Sequence, residues 1–352
     1  MVKLLIVDDS FFVRKFFSDE AEKIPGVEVV ATARNGVEAL KVIEEKDVNL
    51  ITLDLKMPEM DGLQTLEKMN EIGIDIPVIV VSSLTPENSE MVAKVLELGA
   101  VDVLSKLTEK GSGPGVTNIK DDFRNKIMAF VDKVPSQKEI PSKSSRKKKF
   151  SLRTKFENLT PELLIIGGST GAPPILHSII SYLPDDLALP VVIIQHMQEY
   201  FLPGMAKNIG TKTEIPVQLV NSSHLIKGGN IYIPGKNKHL VFNSTDDEVY
   251  ARLEAGEPVS GAIPSVDVAF QSAADVFKEK VIAVLLTGMG RDGAVGMEKL
   301  QRAGARCLGQ DRESSVVYGM PGEAAARGAF DLQAPADQIP RIITDWISKT
   351  TG

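Results

Sequence analysis

The chain has 352 residues, of which 43% are hydrophobic, and this is enough for two domains with ordinary cores. The net charge of -7 argues against wholesale nucleic-acid binding, and no apolar run approaches the roughly 20 residues of a membrane span. A single cysteine, Cys307, excludes an intrachain disulfide and a multi-cysteine metal site, and the N-terminus lacks the pattern of a signal peptide, so we expect a cytoplasmic protein without membrane insertion.

Short apolar runs alternate with amphipathic stretches in the first part of the chain. The runs that predict strands are 3–7, 27–31, 50–53, 78–81 and 101–104. The stretch from Gly36 to Glu45 is typical of the helices between them. A closing helix is predicted by apolar residues at helical spacing, Ile119, Phe123, Ile127 and Phe130. Continuous apolar strands separated by helices indicate a parallel sheet covered on both faces.

Polar side chains follow several of these predicted strands. Asp8 and Asp9 come after the first strand and Asp54 after the third, while Ser82 and Lys106 follow the last two. Because the carboxyl ends of parallel strands meet at one edge of a sheet, we expect these side chains to converge. Three clustered carboxylates need a cation, and hard oxygen ligands suit Mg2+. A carboxylate can also be phosphorylated, and Lys106 and Ser82 would then bind the phosphoryl oxygens.

Two segments carry a resemblance to the receiver domains of two-component response regulators. They are Leu-Ile-Val-Asp-Asp-Ser at 5–10 and Asp-Leu-Lys-Met-Pro-Glu-Met-Asp-Gly at 54–62. The resemblance covers residues 1–134 and implies that a chemotaxis histidine kinase phosphorylates Asp54 with Mg2+. It assigns Asp8 and Asp9 to the metal pocket together with Asp54, Ser82 as the switch hydroxyl and Lys106 as the lysine that contacts the phosphate.

Two positions depart from the receiver pattern. Leu107 follows the lysine where the family normally has proline, and a cis peptide is therefore not expected there, since a cis non-proline bond costs about 2.5–4 kcal/mol. Val103 stands where many receivers carry an aromatic residue, so rotation of an aromatic ring is not expected to report phosphorylation here.

The rest of the chain predicts a linker and a second domain. Residues 135–159 are a basic linker, rich in Ser and Lys, with prolines and no apolar period, as is typical of a solvated tether. The alternative is that its basic run docks on an acidic surface. Residues 160–352 repeat the alternation, with strands predicted at 163–166, 191–194, 217–220, 231–233, 239–242 and 282–286. The close pair around 234–238 predicts an inserted antiparallel hairpin. The expected fold is α/β, a flavodoxin-like receiver followed by a doubly wound, mostly parallel α/β hydrolytic domain.

A glycine-rich turn follows the first strand of this second domain. The strand 163–166 runs into Gly-Gly-Ser-Thr-Gly-Ala, and two prolines, Pro173 and Pro174, come next. Proline suits the first helical turn, so Ser169 is predicted on a tight strand-to-helix turn, near the positive end of a helix dipole. The segment fits the G-x-S-x-G nucleophile pattern. A dinucleotide loop is excluded because Ser169 takes the place of the second glycine, and a P-loop because Gly-Lys-Ser/Thr is missing.

A nucleophilic serine needs a base and an acid that orients it. Among the four histidines, His196 lies at the end of the strand 191–194, which favours it as the base. The others are assigned to the helix after Ser169 or to the surface near the hairpin: His177, His224 and His239. Asp292 follows the strand 282–286 in a glycine-rich loop and is the candidate acid, with capping of the next helix as its alternative role. The order Ser, His, Asp differs from the order of the α/β-hydrolase fold.

The second half resembles the chemotaxis protein-glutamate methylesterase family, CheB. The segments that carry the resemblance are those around Ser169, 195–197, 264–267, 287–293 and 314–321. It implies a Ser169 nucleophile, a His196 base and an Asp292 that orients the imidazole. Its implied substrates are glutamate γ-methyl esters, and glutamines, on the cytoplasmic helices of methyl-accepting chemoreceptors, with no cofactor for the esterase. Backbone donors near Thr170 and Met289 are expected to stabilise the oxyanion.

Two hypotheses for the function of the whole chain follow. The first is an esterase whose receiver packs over the catalytic edge until Asp54 is phosphorylated. The second is a non-enzymatic response regulator that docks a signalling partner through a degenerate hydrolase domain, and the complete set of Ser169, His196 and Asp292 argues against it. Arg291 stands where Asn is commoner before Asp292. Ala262 and Ile263 stand where enterobacterial members have His-Arg, a departure that leaves Ser169, His196 and Asp292 intact and bears on receptor preference.

Overall fold

The N-terminal strands form a single parallel sheet, as their continuous apolar runs predict. The computed structural model describes residues 1–83, 85–106, 119–131, 160–246 and 248–348, so Leu107 and the predicted linker lie outside the described residues. The strands are β1 Val2–Val7, β2 Val27–Ala33, β3 Leu50–Asp54, β4 Val78–Ser82 and β5 Asp102–Ser105. They pair in the order β2-β1-β3-β4-β5, which is the flavodoxin-like order.

Helices cover both faces of this sheet. They are α1 Phe11–Ala21, α2 Gly36–Glu45, α3 Gly62–Glu71, α4 Pro86–Glu97 and α5 Ile119–Val131. Alternate residues of β1 enter opposite cores: Leu4 packs with α1 and α5, whereas Leu5 packs with α2, α3 and α4. This two-sided burial explains why the strands read as unbroken apolar runs.

The second domain is built around a longer parallel sheet. Its strands are β6 Leu163–Gly168, β7 Val191–Gln195, β8 Val217–Val220, β10 Ile231–Pro234, β13 Val281–Leu285, β14 Arg306–Gln310 and β15 Leu332–Ala334. They pair in the order β15-β14-β13-β6-β7-β10-β8. The helices are α6 Ala172–Tyr182, α7 Leu202–Ile209, α8 Val266–Phe277, α9 Ala294–Ala303, α10 Met320–Ala326 and α11 Ile339–Ser348. Again β6 alternates, with Ile165 in one buried cluster and Ile166 in the other.

An antiparallel sheet is inserted in this domain, but it does not include the hairpin predicted around residues 234–238. The strands β9 Ser223–Leu225, β11 His239–Thr245 and β12 Glu248–Glu254 pair antiparallel in the order β11-β12-β9. The predicted pairing across 234–238 is wrong, because β10 instead lies between β7 and β8 and is parallel to both. Every residue of β10 is buried, which suits a central parallel strand and not one half of a surface hairpin.

Candidate active site and phosphoacceptor pocket

The carboxyl ends of three neighbouring strands carry the predicted catalytic residues. β6 pairs with β7 on one side and with β13 on the other, so the segments that follow them meet at one edge. Ser169 directly follows β6, and His196 directly follows β7. The backbone N–H of His196 donates to Gly168 O at 3.0 Å, which extends the ladder to the edge itself. The site thus lies where doubly wound sheets bind their ligands.

The turn that presents Ser169 is held by the loop after β13. The Ser169 N–H donates to Thr287 O at 3.1 Å, and Thr287 Oγ1 donates to Thr170 O at 3.0 Å. Gly171 then adopts a φ of 84° at the N-cap of α6, a left-handed conformation that favours glycine. A side chain at Gly288 would place its Cβ 2.8 Å from Ser169 Cβ, so the second loop contacts the serine through bare backbone.

His196 and Asp292 form the predicted pair. The distance from His196 Nε2 to Asp292 Oδ2 is 2.8 Å. Because Nε2 is engaged by the carboxylate, Nδ1 is the ring nitrogen left to serve Ser169. Within the described ranges no hydrogen bond joins Ser169 Oγ to the imidazole, but both side chains line the same cavity. Such a contact often tightens only when substrate is bound.

Asp292 lies in a buried cradle of donors. Its carboxylate accepts from Ser265 Oγ at 2.7 Å and from the backbone N–H groups of Val266 at 2.7 Å and Asp267 at 2.9 Å. These donors belong to the N-terminus of α8, whose dipole favours a negative charge. Burial raises the pKa of Asp292, but the hydrogen bonds from His196, Ser265 and Asp267 outweigh it and hold the pKa below its ordinary value. The carboxylate is therefore ionised and aimed at the imidazole, and the capping alternative is wrong because Gly293 is the N-cap of α9.

Two backbone donors border the serine. In the part of the chain that the structure describes, neither the Thr170 N–H nor the Met289 N–H has a hydrogen-bond acceptor. Thr170 is buried next to the serine, and Met289 follows the glycine that contacts it. Free N–H groups beside the candidate nucleophile Ser169 are suited to a developing oxyanion.

Two residues next to the His196–Asp292 pair were not predicted from the sequence, Ser265 and His239. Ser265 is fully buried, and its N–H donates to His239 Nδ1 at 3.2 Å. The assignment of His239 to the surface is wrong: this side chain is buried, and its Nε2 lies 2.9 Å from Glu257 O. The sequence did carry a signal for Ser265, since serine ahead of an apolar helical pattern is typical of an N-cap. The structure confirms this role, because Ser265 Oγ accepts from the Val268 N–H. His239 had no local signal, because its partner lies 26 residues away.

The remaining histidines lie outside the pair. His177 is buried in α6, where burial lowers its pKa, and it does not line the cavity. His224 lies on β9 and is half-buried. Gln195, the last residue of β7, bridges the two turns, since its Nε2 donates both to Ser169 O and to His196 O at 3.1 Å.

The five receiver residues also converge. Ligand oxygens of Asp8, Asp9 and Asp54 lie within 4.8 Å of one another. Lys106 Nζ lies 2.6 Å from Asp8 Oδ2 and 2.7 Å from Asp54 Oδ2. Ser82 ends β4 and is buried, with its Oγ donating to the carbonyl of the following residue. The three carboxylates form one cluster, and the Lys106 ammonium contacts two of them.

Burial controls the charge of Asp54. It raises the pKa of Asp54 to about 6, and the attraction of Lys106 only partly opposes this effect. Burial also lowers the pKa of Lys106, but its two carboxylate neighbours outweigh burial and raise the pKa overall. The pocket therefore holds a charged lysine beside an acid that is easily protonated. A divalent cation fits such a site, because hard oxygen ligands surround the space and the acids repel one another.

The receiver contacts the turn beside Ser169 directly through the start of β5. The Gly171 N–H donates to Val101 O at 2.6 Å, and Thr170 Oγ1 donates to Asp102 Oδ2. Asp102 is also paired with Lys126 of α5, at 2.8 Å. Val103, the departure from the usual aromatic, lines the same cavity as Ser169.

A second contact joins α4 to α7. Gly204 of α7 packs so closely against α4 that an added Cβ would lie 2.4 Å from Ser89 O. Ser89 Oγ donates to Tyr200 O at 3.2 Å, and Lys207 pairs with Glu90 at 2.7 Å. The receiver therefore contacts the second domain along two separate lines, one at the turn beside Ser169 and one at α7.

Comparisons with known proteins agree with this architecture. The profile of the family described as CheB methylesterase matches residues 164–343, and that of the response regulator receiver domain matches residues 4–112. A protein-glutamate methylesterase/protein-glutamine glutaminase of Geobacillus kaustophilus is 35% identical over 99% of both chains, and one of Bordetella bronchiseptica is 36% identical over 97% of both. The crystal structure of the Thermotoga maritima CheB methylesterase catalytic domain matches with a TM-score of 0.51 and 33% identity, covering 53% of this chain and 99% of that one. Among the described helices, none is both long and apolar enough to cross a bilayer.

Proposed function

This chain belongs to the CheB methylesterase family, and on that premise we propose that it demethylates glutamate γ-methyl esters, and deamidates glutamines, on the cytoplasmic helices of chemoreceptors. The observation that carries the proposal is the His196–Asp292 pair at 2.8 Å, in one cavity with Ser169. The reaction belongs to the domain over 160–352, and control belongs to the domain over 1–134. Both act in the cytoplasm.

Acylation begins at Ser169. Its Oγ attacks the γ-carbonyl carbon, and its proton passes to His196 Nδ1 while Asp292 stabilises the imidazolium. The oxyanion accepts from the N–H groups of Thr170 and Met289, each worth about 3–4 kcal/mol. The bond to the methoxy oxygen then breaks, and His196 protonates the leaving group, which departs as methanol. A glutamine substrate releases ammonia by the same steps.

Deacylation reverses the roles. His196 takes a proton from water, the hydroxide attacks the acyl carbon, and the Ser169 oxygen leaves with the proton that His196 returns. The product is a glutamate carboxylate. Protons move only among these groups, because Asp292 has a depressed pKa and stays ionised throughout.

Phosphorylation regulates the enzyme through Asp54. A histidine kinase is the physiological phosphodonor, and Mg2+ held by Asp8, Asp9 and Asp54 would neutralise the phosphoryl charge. Lys106, already 2.7 Å from Asp54, would pair with the phosphoryl oxygens, and Ser82 would donate a hydrogen bond to them. The Lys106 ammonium must then either break its ion pair with Asp8 or contact both Asp8 and the phosphoryl group on Asp54.

The receiver restricts access in the unphosphorylated state. Asp102 and Val101 bond to the turn beside Ser169, so a receptor helix and the receiver cannot both occupy this edge. Phosphorylation must favour the separated arrangement, because a ligand shifts an equilibrium only by its differential affinity for the two states. Removal of residues 1–150 should therefore raise basal demethylation.

The test is methanol release from methylated receptor membranes. Native chain and Ser169→Ala are compared with and without a small phosphodonor plus Mg2+, and Ser178→Ala, at an exposed position on α6, is the matched control. Release that requires Ser169, survives Ser178→Ala and rises with phosphodonor is the expected result. No release from folded native chain in either condition would favour the non-enzymatic response regulator.

A further inference from the structure

The receiver leaves a cleft open at the catalytic pair. A cavity of about 440 Å3 lies between the domains. Ser169, His196 and Met289 line it on the catalytic side, and Asn125 and Lys126 of α5 line it on the receiver side. The His196 side chain remains 18% exposed although the receiver is in place. The site therefore stays open to solvent while the receiver contacts it.

The reacting groups in this cleft are already assembled. The His196–Asp292 hydrogen bond is formed, and the Thr170 and Met289 N–H groups have no acceptor within the described ranges. The receiver binds the Thr170 hydroxyl and the Gly171 N–H instead, which are different donors of the same turn. Contact with the receiver thus leaves the machinery for acyl transfer available.

Size separates two classes of substrate at this cleft. A receptor helix is about 10–12 Å across with its side chains and cannot enter while α5 forms the opposite wall. A volume of about 440 Å3 falls in the range of about 300–1,000 Å3 that encloses small organic ligands. Among the described residues of the receiver wall, Asp102 and Asp122 both pair with the ammonium of Lys126, so this wall disfavours anionic molecules.

We infer that the unphosphorylated chain hydrolyses short uncharged carboxylic esters at Ser169, so that the receiver selects substrates by size and does not switch off the chemistry. The inference rests on the proposed function of Ser169 and His196. The ester acylates Ser169 and releases its alcohol, and water then releases the acid, with the same proton transfers as for the receptor. No further reactant is needed.

The experiment compares a small ester with the receptor on the full chain. The probes are 4-nitrophenyl acetate and the γ-methyl ester of N-acetylglutamate α-amide, with methylated receptor membranes as the large substrate. The rates on both small esters should require Ser169 and stay within about twofold when phosphodonor and Mg2+ are added, an energy difference of about 0.4 kcal/mol, while receptor demethylation rises.

A variant that fills the cleft tests the route of entry. Asn125→Trp places a large ring in the cavity and should lower small-ester hydrolysis at least tenfold, about 1.4 kcal/mol, with recovery on phosphorylation. Arg124→Trp is the matched control, because Arg124 is exposed on the same helix and does not line the cleft. It should leave the rate unchanged.

Several results would overturn the inference. Small-ester and receptor rates that rise in parallel on phosphorylation would mean that the receiver disables the chemistry. An unaltered small-ester rate in Asn125→Trp, or small-ester hydrolysis that survives Ser169→Ala, would exclude this route. Receptor demethylation without any small-ester hydrolysis would refute the inference but keep the proposed function, whereas the absence of both activities would refute the proposed function itself.

Discussion

Gly204→Ala tests whether the contact between α4 and α7 holds the receiver over the catalytic edge. The new Cβ would lie 2.4 Å from Ser89 O, against an ordinary contact of at least 3.4 Å. The obstructing atom belongs to the backbone, so no side-chain rotation relieves the overlap of about 1 Å. Overpacking of this kind costs about 1–3 kcal/mol, which shifts the closed-to-open ratio by about 5- to 150-fold.

The assay is methanol release from methylated receptor membranes without phosphodonor. Basal demethylation should rise by up to this factor, and the further gain on phosphorylation should shrink accordingly. The catalytic domain should stay folded, because alanine favours a helix over glycine by up to about 1 kcal/mol. Hydrolysis of 4-nitrophenyl acetate should not change, since Gly204 does not line the cleft.

Gly210→Ala is the matched control for this substitution. Gly210 caps the same helix with a φ of -62°, and an added Cβ would meet nothing nearer than 3.4 Å. Its basal rate should equal that of the native chain. The reasoning is refuted if Gly204→Ala leaves basal demethylation at the native level, or if Gly210→Ala raises it equally.

Three further outcomes are expected. Asp292→Asn should lower kcat for demethylation by orders of magnitude with unchanged circular dichroism, because an amide does not hold the required imidazole tautomer; a rate near the native one would exclude the triad role. His239→Leu removes the acceptor for the Ser265 N–H and should lower kcat more than it raises KM, whereas His239→Asn, which keeps an acceptor, should recover part of kcat; equal steady-state constants in both variants would count against this link. Mg2+ affinity, measured by titration calorimetry, should fall as the pH drops below about 6, because the pKa of Asp54 is raised to about 6 and the protonated acid is a poor ligand; an affinity independent of pH would contradict this.

Local sequence patterns predicted the positions of most strands and of the polar residues that follow them. Ser169, His196 and Asp54 each follow a continuous apolar run, and the parallel sheet then brings such positions to one edge. The two prolines after Ser169 predicted the start of α6 for a reason that the structure confirms, since they occupy its first turn. Burial on both faces is visible in the sequence, because each of these strands is an unbroken apolar run.

Features that depend on distant partners were not predictable in this way. β10 reads like half of a hairpin because His239 and its neighbours form a strand soon after it, but pairing is decided by burial in the large sheet. Strands β9, β12, β14 and β15 were missed, and β9 and β15 have only three residues each. The contact of Asp102 with Thr170 joins residues 68 positions apart, and no local periodicity encodes it.

The strand β5 has a consequence for exchanging receivers between proteins. Asp102, its first residue, bonds to the turn beside Ser169, and Lys106, just after its last residue, contacts Asp54. The four strand residues pair in register with β4, and the chain from Asp102 to Lys106 spans about 13 Å. A receiver from another response regulator could accept phosphate normally at the far end of this strand and still leave the esterase unregulated if its first β5 residue could not bond to Thr170. If the receiver controls the esterase as proposed, receivers that share the same phosphorylation chemistry are not expected to be interchangeable here.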